Sequence, residues 1–144
     1  MSSPHQTLEL LARDPNSAIR AQVAANSVCS PAVVGLLSSD RDIWVRQAAL
    51  RNLSCPAAIL DGMSGGSQRD RWNVARNPVC PPHVLERLSL DPDRLVRRGV
   101  ATNISCPDTT LGRLLSDPDP DIRCEALVNR HSRQHTSPAR EADG

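Results

Sequence analysis

The stretch Asp91–Pro107, DPDRLVRRGVATNISCP, holds the signals for a helix start, an apolar helical face and a helix stop. An aspartate before a proline is typical of a helix N-terminus, because the carboxylate caps free N–H groups and proline suits the first helical position. Val96, Val100 and Ala101 follow at helical spacing. Asn103 then predicts the helix end, since asparagine tolerates a left-handed backbone. The stretch therefore predicts one short helix and a tight Cys-Pro connection.

The same pattern recurs along the whole chain. Asparagines follow one another at steps of 26, 25, 26 and 26 residues: Asn26, Asn52, Asn77, Asn103 and Asn129. Six residues before each stands an arginine: Arg20, Arg46, Arg71, Arg97 and Arg123. Twelve before stands an aspartate, except at Gly65: Asp14, Asp40, Asp91 and Asp117. Three after the first four stands a cysteine, with a proline close behind: Cys29, Cys55, Cys80 and Cys106. So many aligned columns indicate an internal repeat.

Each repeat also predicts a second short helix after the Cys-Pro connection. Two short helices per unit cannot bury their apolar faces alone, so the units must stack on one another. We therefore expect an all-α solenoid of about five two-helix repeats of 25 to 26 residues, without β-sheet, within residues 1–130. The units are expected near residues 4–26, 27–52, 53–77, 78–103 and 104–129. The polar residues 131–144 are expected to form a disordered C-terminal tail.

Composition limits the classes of function. The formal net charge of +1 gives no overall field that would attract nucleic acid or an acidic membrane. No apolar run approaches the roughly 20 residues of a membrane span, and the N-terminus lacks the pattern of a secretory signal. Five widely spaced cysteines fit a reducing compartment better than a disulfide scaffold. We expect a cytoplasmic protein without a membrane partner.

The string D-P-D-x-x-V-R-R-x-V-A-x-N-x-x-C-P in Asp91–Pro107 resembles the leucine-rich repeat variant family, and the resemblance covers about Pro4 to Asn129. It implies a right-handed superhelix of alternating α- and 3₁₀-type helices. The aspartate and the Val-Arg pair also resemble HEAT repeats, where such residues form a ladder through the stack. Two departures are the slightly longer repeat and the absence of the clustered cysteines that hold the family's iron–sulfur module.

The cysteines and histidines are the first candidates for metal ligands. Packed helices lie about 8–10 Å apart, so cysteines in equivalent positions of neighbouring repeats are too far apart to share a zinc ion. We expect them to be small buried residues, and Cys124 to be a free surface thiol. His131 and His135 would form a metal pair on a helix, but their polar segment favours disorder. No catalytic motif is present, so we expect no enzyme, metal or cofactor.

The arginine and aspartate columns admit two interpretations. The favoured one is a structural ladder of Asp14, Arg20, Asp40, Arg46, Arg71, Asp91, Arg97, Asp117 and Arg123, since a partly buried arginine normally needs a carboxylate partner. The other is a phosphate-binding stripe.

Positions eight, five and one before each asparagine share one face of the first helix, because they lie three and four residues apart. In the middle repeats they form what we call the Trp/Arg face: Trp44, Arg51, Arg69, Trp72, Arg76 and Arg98. Tryptophan and arginine are enriched at interaction hot spots. We therefore expect a protein–protein interaction scaffold, with nucleic-acid binding by the same face as the alternative. Self-association through open repeat ends is a third possibility, and whether the tryptophans are exposed or fill gaps between repeats stays open.

The segment Ser64–Trp72, SGGSQRDRW, departs from the repeat. One residue is missing between Met63 and Arg71 relative to the other copies, and the Asp-Pro start is lost. Asp70 stands where neighbouring copies hold valine. We expect a frayed helix start and a local kink beside the Trp/Arg face, because glycine weakens helix initiation. A working surface and drift in a tolerant repeat are both compatible with this departure.

Overall fold

The computed structural model describes residues 1–136 and is entirely helical over that range, with ten α-helices and no strand. The helices are α1 (Pro4–Leu11), α2 (Ser17–Ala24), α3 (Pro31–Leu37), α4 (Ile43–Arg51), α5 (Ala57–Met63), α6 (Gln68–Arg76), α7 (Pro82–Leu88), α8 (Arg94–Thr102), α9 (Asp108–Leu114) and α10 (Pro120–Thr136). The all-α prediction is confirmed for these residues. The second helix of each unit is also α rather than 3₁₀.

The helices pack in a repeat-like order. Each even-numbered helix contacts the next even-numbered one, from α2 through α4, α6 and α8 to α10, while the odd-numbered helices pack against their even-numbered neighbours. The apolar columns face inwards at these contacts, so that Val45, Val74 and Val96 are fully buried, as are Leu60 and Leu85. Aliphatic side chains and four cysteines fill this core, since the chain has no Phe or Tyr.

The helix caps lie two residues later than the Asp-Pro signal predicts. Asp42 caps α4, because its carboxylate accepts hydrogen bonds from the main-chain N–H groups of Trp44 at 2.8 Å and Val45 at 3.3 Å. Asp40, in the same column as the Asp-Pro aspartates, accepts from the N–H of Asp42 at 2.9 Å and shapes the turn that precedes the helix. Asp91, the expected cap, accepts in the same way from Asp93, which caps α8. The expected capping role of the ladder aspartates is therefore wrong, and their carboxylates are available for arginine.

The repeated asparagines do not end their helices in a left-handed conformation. Asn103 is extended, with φ −70° and ψ 125°, and no non-glycine residue in residues 1–136 has a positive φ. Its side-chain Nδ2 donates to the carbonyl oxygens of Ala75 at 2.7 Å and Asn77 at 2.9 Å, one unit earlier. Its Oδ1 accepts from the N–H of Ser105 at 2.8 Å.

The same bonds to the preceding unit recur and form what we call the asparagine ladder: Asn52, Asn77, Asn103 and Asn129. The acceptors include carbonyl groups at the end of the preceding even-numbered helix, which have no partner within that helix. The asparagine columns are therefore a structural device between units, which helix-termination rules do not reveal.

The expected disorder from residue 131 is wrong for residues 131–136, which continue α10. A cysteine with a proline within two residues follows each of the first four asparagines, but no cysteine follows Asn129 before the next proline at Pro138. The guanidinium of Arg133 donates to the carbonyl oxygens of Ile104 at 2.6 Å and Cys106, which fixes the extension on the preceding turn. Residues 137–144 lie outside the described part of the chain.

The departing segment Ser64–Trp72 has a well-capped helix, so the expected fraying is wrong. Ser67 and Asp70 form a capping box at the start of α6. The N–H of Gly66 donates to Met63, as that of Asp40 does to Leu37, so Gly66 rather than Gly65 takes the ladder aspartate's place. In the preceding copy Arg41 stands between the ladder position, Asp40, and the cap, Asp42, whereas here Gly66 is followed directly by the cap, Ser67. The missing residue is therefore the counterpart of Arg41.

Two buried polar atoms, one on α4 and one on α6, are unpaired. Within the described chain, neither Oδ1 of Asp70 nor Nε2 of Gln47 has a hydrogen-bond partner, although both side chains are buried. Gln47 was expected on the exposed face of α4. An unpaired buried polar group opposes folding, so the junction of α4 and α6 carries a cost that the other junctions lack.

Replacement of Asn103 by alanine should lower the free energy of unfolding by about 2 kcal/mol, because it leaves buried carbonyl groups without a donor. Asn26→Ala is the matched control, since the Asn26 side chain bonds only the N–H of Val28 in residues 1–136. It should cost about 0.5 kcal/mol. Urea denaturation followed by circular dichroism measures both values. Equal losses would show that the inter-unit bonds do not stabilise the array.

Candidate functional site

The arginine–aspartate ladder forms at three junctions. Nε of Arg20 bonds Oδ2 of Asp40 at 2.8 Å, and the guanidinium's second edge atom, Nη2, bonds Oδ1 at 3.1 Å. Arg71 with Asp91 and Arg97 with Asp117 repeat this two-bond geometry. In each case the third nitrogen, Nη1, donates to a main-chain carbonyl at the turn before the arginine's own helix. All three guanidinium nitrogens are thus engaged within the array.

The ladder has gaps within residues 1–136. Arg46 and Arg123 bond main-chain carbonyl groups but no carboxylate, and no arginine pairs with Asp14. For Arg46 the cause is Gly66, which stands where a carboxylate would meet it. The phosphate-stripe interpretation is weakened because three of its five arginines are already occupied.

These ion pairs alter the acid–base behaviour of the ladder. The hydrogen bond from Arg20 holds the pKa of Asp40 below its ordinary value, aided by the N–H of Asp42 and by the charge of Arg20, and opposed by burial. The pKa of Arg20 is raised in turn, mainly by its hydrogen bond to Asp40. The folded state therefore favours the ionised form of Asp40.

Replacement of Asp40 by asparagine should destabilise the protein most near neutral pH. A carboxyl whose folded pKa is depressed stabilises the fold above its unfolded pKa of about 4, and this contribution disappears as the pH falls through the folded pKa. The difference in urea midpoint between wild type and Asp40→Asn should shrink from pH 7 to pH 3. Asp14→Asn, in the same column but without an arginine partner, should show a small difference throughout. A difference in urea midpoint between wild type and Asp40→Asn that stays constant with pH would contradict the ionic role of the ladder.

Trp44 lies on the surface of α4 and is 61% exposed. The guanidinium carbon Cζ of Arg69, on α6, lies 5.5 Å from the centre of its ring. Such a cation–π contact orients the arginine without using its hydrogen-bond donors. The question left open by the sequence is answered for this residue, since Trp44 fills no gap in the core.

Trp72, on α6, is partly buried and partly exposed. It packs against the core but keeps part of its surface accessible, and Cζ of Arg76 lies 4.5 Å from its ring centre. Gly99 on α8 permits this arrangement, because a Cβ there would come within 3.1 Å of the Ala75 Cβ and 3.2 Å of the Arg76 stem. Trp72 and Arg76 lie four residues apart on α6, so they stack within one helix, and Gly99 leaves room for α8 to pack beside them.

The charges of the Trp/Arg face are mostly uncompensated. Arg51, Arg69 and Arg76 are exposed and make no salt bridge to a carboxylate in residues 1–136. Arg98 is the exception, because its Nη2 pairs with Oε1 of Glu125 at 3.0 Å. The structure therefore brings together five of the six predicted residues as a surface with excess positive charge: Trp44, Arg69, Trp72, Arg76 and Arg98. Arg51 is exposed at the end of α4, the helix that carries Trp44.

Two clefts adjoin Trp72 on this face. One of about 370 Å³ is lined by Gln68, Arg69, Trp72 and Leu95. The other, of about 360 Å³, is lined by Trp72, Arg76, Leu95, Arg98, Gly99 and Thr102. Both share Trp72 and Leu95, and the Leu95 side chain is 42% exposed. Leu95 is a functional candidate that sequence reasoning did not select, although an apolar residue in a column of exposed positions was the available signal.

The cysteines behave as two groups. Cys29, Cys55, Cys80 and Cys106 are buried, and burial raises the pKa of Cys55 to about 11 and that of Cys80 to about 12. Cys124 is exposed on α10, as expected. His131 and His135 lie on the same helix with ring centres 4.3 Å apart, but no group of three or more metal-ligating side chains occurs in residues 1–136.

Native protein should therefore react rapidly with a maleimide at one thiol per chain, because Cys124 is exposed whereas the turn cysteines are buried. Cys124→Ser should abolish the rapid phase, while denaturant should make all of the remaining thiols reactive. Mass spectrometry of labelled peptides identifies the site. Rapid labelling of Cys55 or Cys80 would show that the turn cysteines are not buried.

Comparisons of this chain with protein-family models, with curated proteins and with solved structures each find no match. The family resemblance thus stays a prediction from the repeat pattern. Within residues 1–136, no helix combines the length and apolarity that crossing a bilayer requires.

Proposed function

We propose that the protein is a non-enzymatic scaffold that binds another protein through the Trp/Arg face. The observation that carries this proposal is the pair of tryptophan–arginine stacks, Trp44 with Arg69 and Trp72 with Arg76, whose arginines have no carboxylate partner in residues 1–136. Aromatic rings and arginines held in place beforehand lose little conformational entropy on binding, which is typical of interaction hot spots.

The proposal includes the finer architecture predicted from the repeat. We propose a right-handed solenoid of about five units, related to the leucine-rich repeat variant family and working in the cytoplasm. The asparagine ladder supports it because it joins each unit to the preceding one at regular spacing, and the arginine–aspartate ladder adds a second connection at three junctions. Such arrays present extended surfaces on which several units contribute to one partner.

Nucleic-acid binding is the second candidate, and the uncompensated Arg51, Arg69 and Arg76 favour it. Two observations weigh against it. The stacked guanidinium groups already cover one side of each tryptophan ring, where a base would stack. The exposed Leu95 between the clefts offers nothing to a phosphate backbone.

Site-specific photo-crosslinking tests the proposed function. A benzoylphenylalanine in place of Leu95 reports on the clefts, and one in place of Leu90, which is 67% exposed in the loop before α8, is the control. After irradiation in lysate of the source cells, we expect a discrete protein adduct at position 95 and none at position 90. The adduct should disappear in a Trp72→Ala, Arg76→Ala background that keeps the wild-type circular dichroism. Identical adducts at both positions, or nucleic-acid adducts alone, would refute the proposal.

A further inference from the structure

We propose that the two clefts beside Trp72 bind an acidic peptide segment of a partner protein, with one large apolar side chain inserted between flanking carboxylates. This inference rests on the proposed function of the Trp/Arg face and adds the chemistry of the occupant. It follows from the apolar floor of the clefts, the charge around them and the pre-set orientation of the arginines.

The floor of the clefts fits one apolar side chain. Trp72 and Leu95 line both clefts, and Leu95, in the first turn of α8, is 42% exposed. Covering Leu95 and the open part of the Trp72 ring removes apolar surface from water, which favours binding. A Leu- or Phe-sized group has the right character for this position.

The rim of the clefts fits carboxylates. Arg69 lines the first cleft, while Arg76 and Arg98 line the second. Arg69 and Arg76 are uncompensated, and arginine presents a planar fork that matches a carboxylate with two bonds. The opposite charge of an acidic segment therefore complements both sides of the apolar floor, while Glu125 neutralises only Arg98.

The tryptophan rings restrain the guanidinium groups of Arg69 and Arg76 before a ligand binds. Because Arg69 stacks on Trp44 and Arg76 on Trp72, the guanidinium groups are restrained while their edges remain free to donate. A restrained donor loses less side-chain entropy on binding than a free one. The stack also joins α4 to α6, so a ligand bridging Arg69 and Arg76 would contact one continuous surface.

Fluorescence anisotropy with synthetic peptides tests this chemistry. The probe is a labelled peptide of glutamates around one central leucine, and its matched controls carry a central alanine or lysines in place of the glutamates. We expect the alanine peptide to bind about tenfold more weakly, because the apolar contact is lost. The lysine peptide should not bind measurably.

Protein variants assign the binding to the clefts. Arg69→Gln and Arg76→Gln should each weaken binding of the leucine peptide about fivefold. Arg13→Gln is the matched control, because Arg13 is exposed, makes no salt bridge in residues 1–136 and lies before α2. It should leave the affinity unchanged. Leu95→Ser should reduce the difference between the leucine and alanine peptides, whereas Leu90→Ser should not.

Three binding results would overturn the inference, in addition to a failure of all the peptides to bind. One is equal binding of the lysine and glutamate peptides. Another is unchanged affinity in both arginine variants with wild-type circular dichroism. The third is tighter binding of a polyuridylate oligomer that depends on the same arginines, which would assign the face to nucleic acid. If the crosslink at position 95 still forms while the peptides fail, the partner is a protein of other chemistry and only this inference falls.

Discussion

A buried asparagine amide attaches each unit of this array to the unit before it. The end of an α-helix leaves carbonyl oxygens without a partner, and the asparagine of the next unit donates to one of them and to the asparagine carbonyl beyond. At the same time the amide oxygen fixes its own turn, as Asn103 does with Ser105. One side chain thus closes a helix end, shapes a turn and sets the distance between successive units, which a larger or differently shaped residue could not do.

The arginine column complements this attachment on the other side of the even-numbered helices. Arg97 uses two nitrogens for Asp117 in the next unit and the third for the main chain before its own helix. A lysine could not make these three directed contacts at once, because its ammonium group is a single point charge. The two ladders therefore orient the even-numbered helices, although of the two only the asparagine ladder joins α4 to α6, where Trp44 and Arg69 meet.

The repeat period and the apolar columns predicted the all-α array and the shared face, because helical geometry alone determines which positions lie together. The cap at Asp42, the extended asparagines and the helical continuation past Asn129 could not be predicted in this way. The extended asparagines depend on hydrogen bonds to the preceding unit, and the continuation past Asn129 depends on the absence of a competing turn. The cap falls on Asp42 rather than Asp40, because Asp40 pairs with Arg20 of the preceding unit and shapes the turn. The clefts at Trp72 likewise depend on how closely α8 approaches α6 at Gly99, which a column of residue types does not encode.

The junction of α4 and α6 is the place where this regular attachment is weakest. Arg46 has no carboxylate in the described chain, and the unpaired Gln47 and Asp70 add a desolvation cost at the same boundary. Proteins open in cooperative blocks whose limits follow such weak contacts. We therefore expect the array to open first at this junction, and the stack of Arg69 on Trp44 is one side-chain contact that spans it. A ligand that binds across this junction would hold α4 and α6 together. Occupancy of the surface would then slow amide exchange in these two helices.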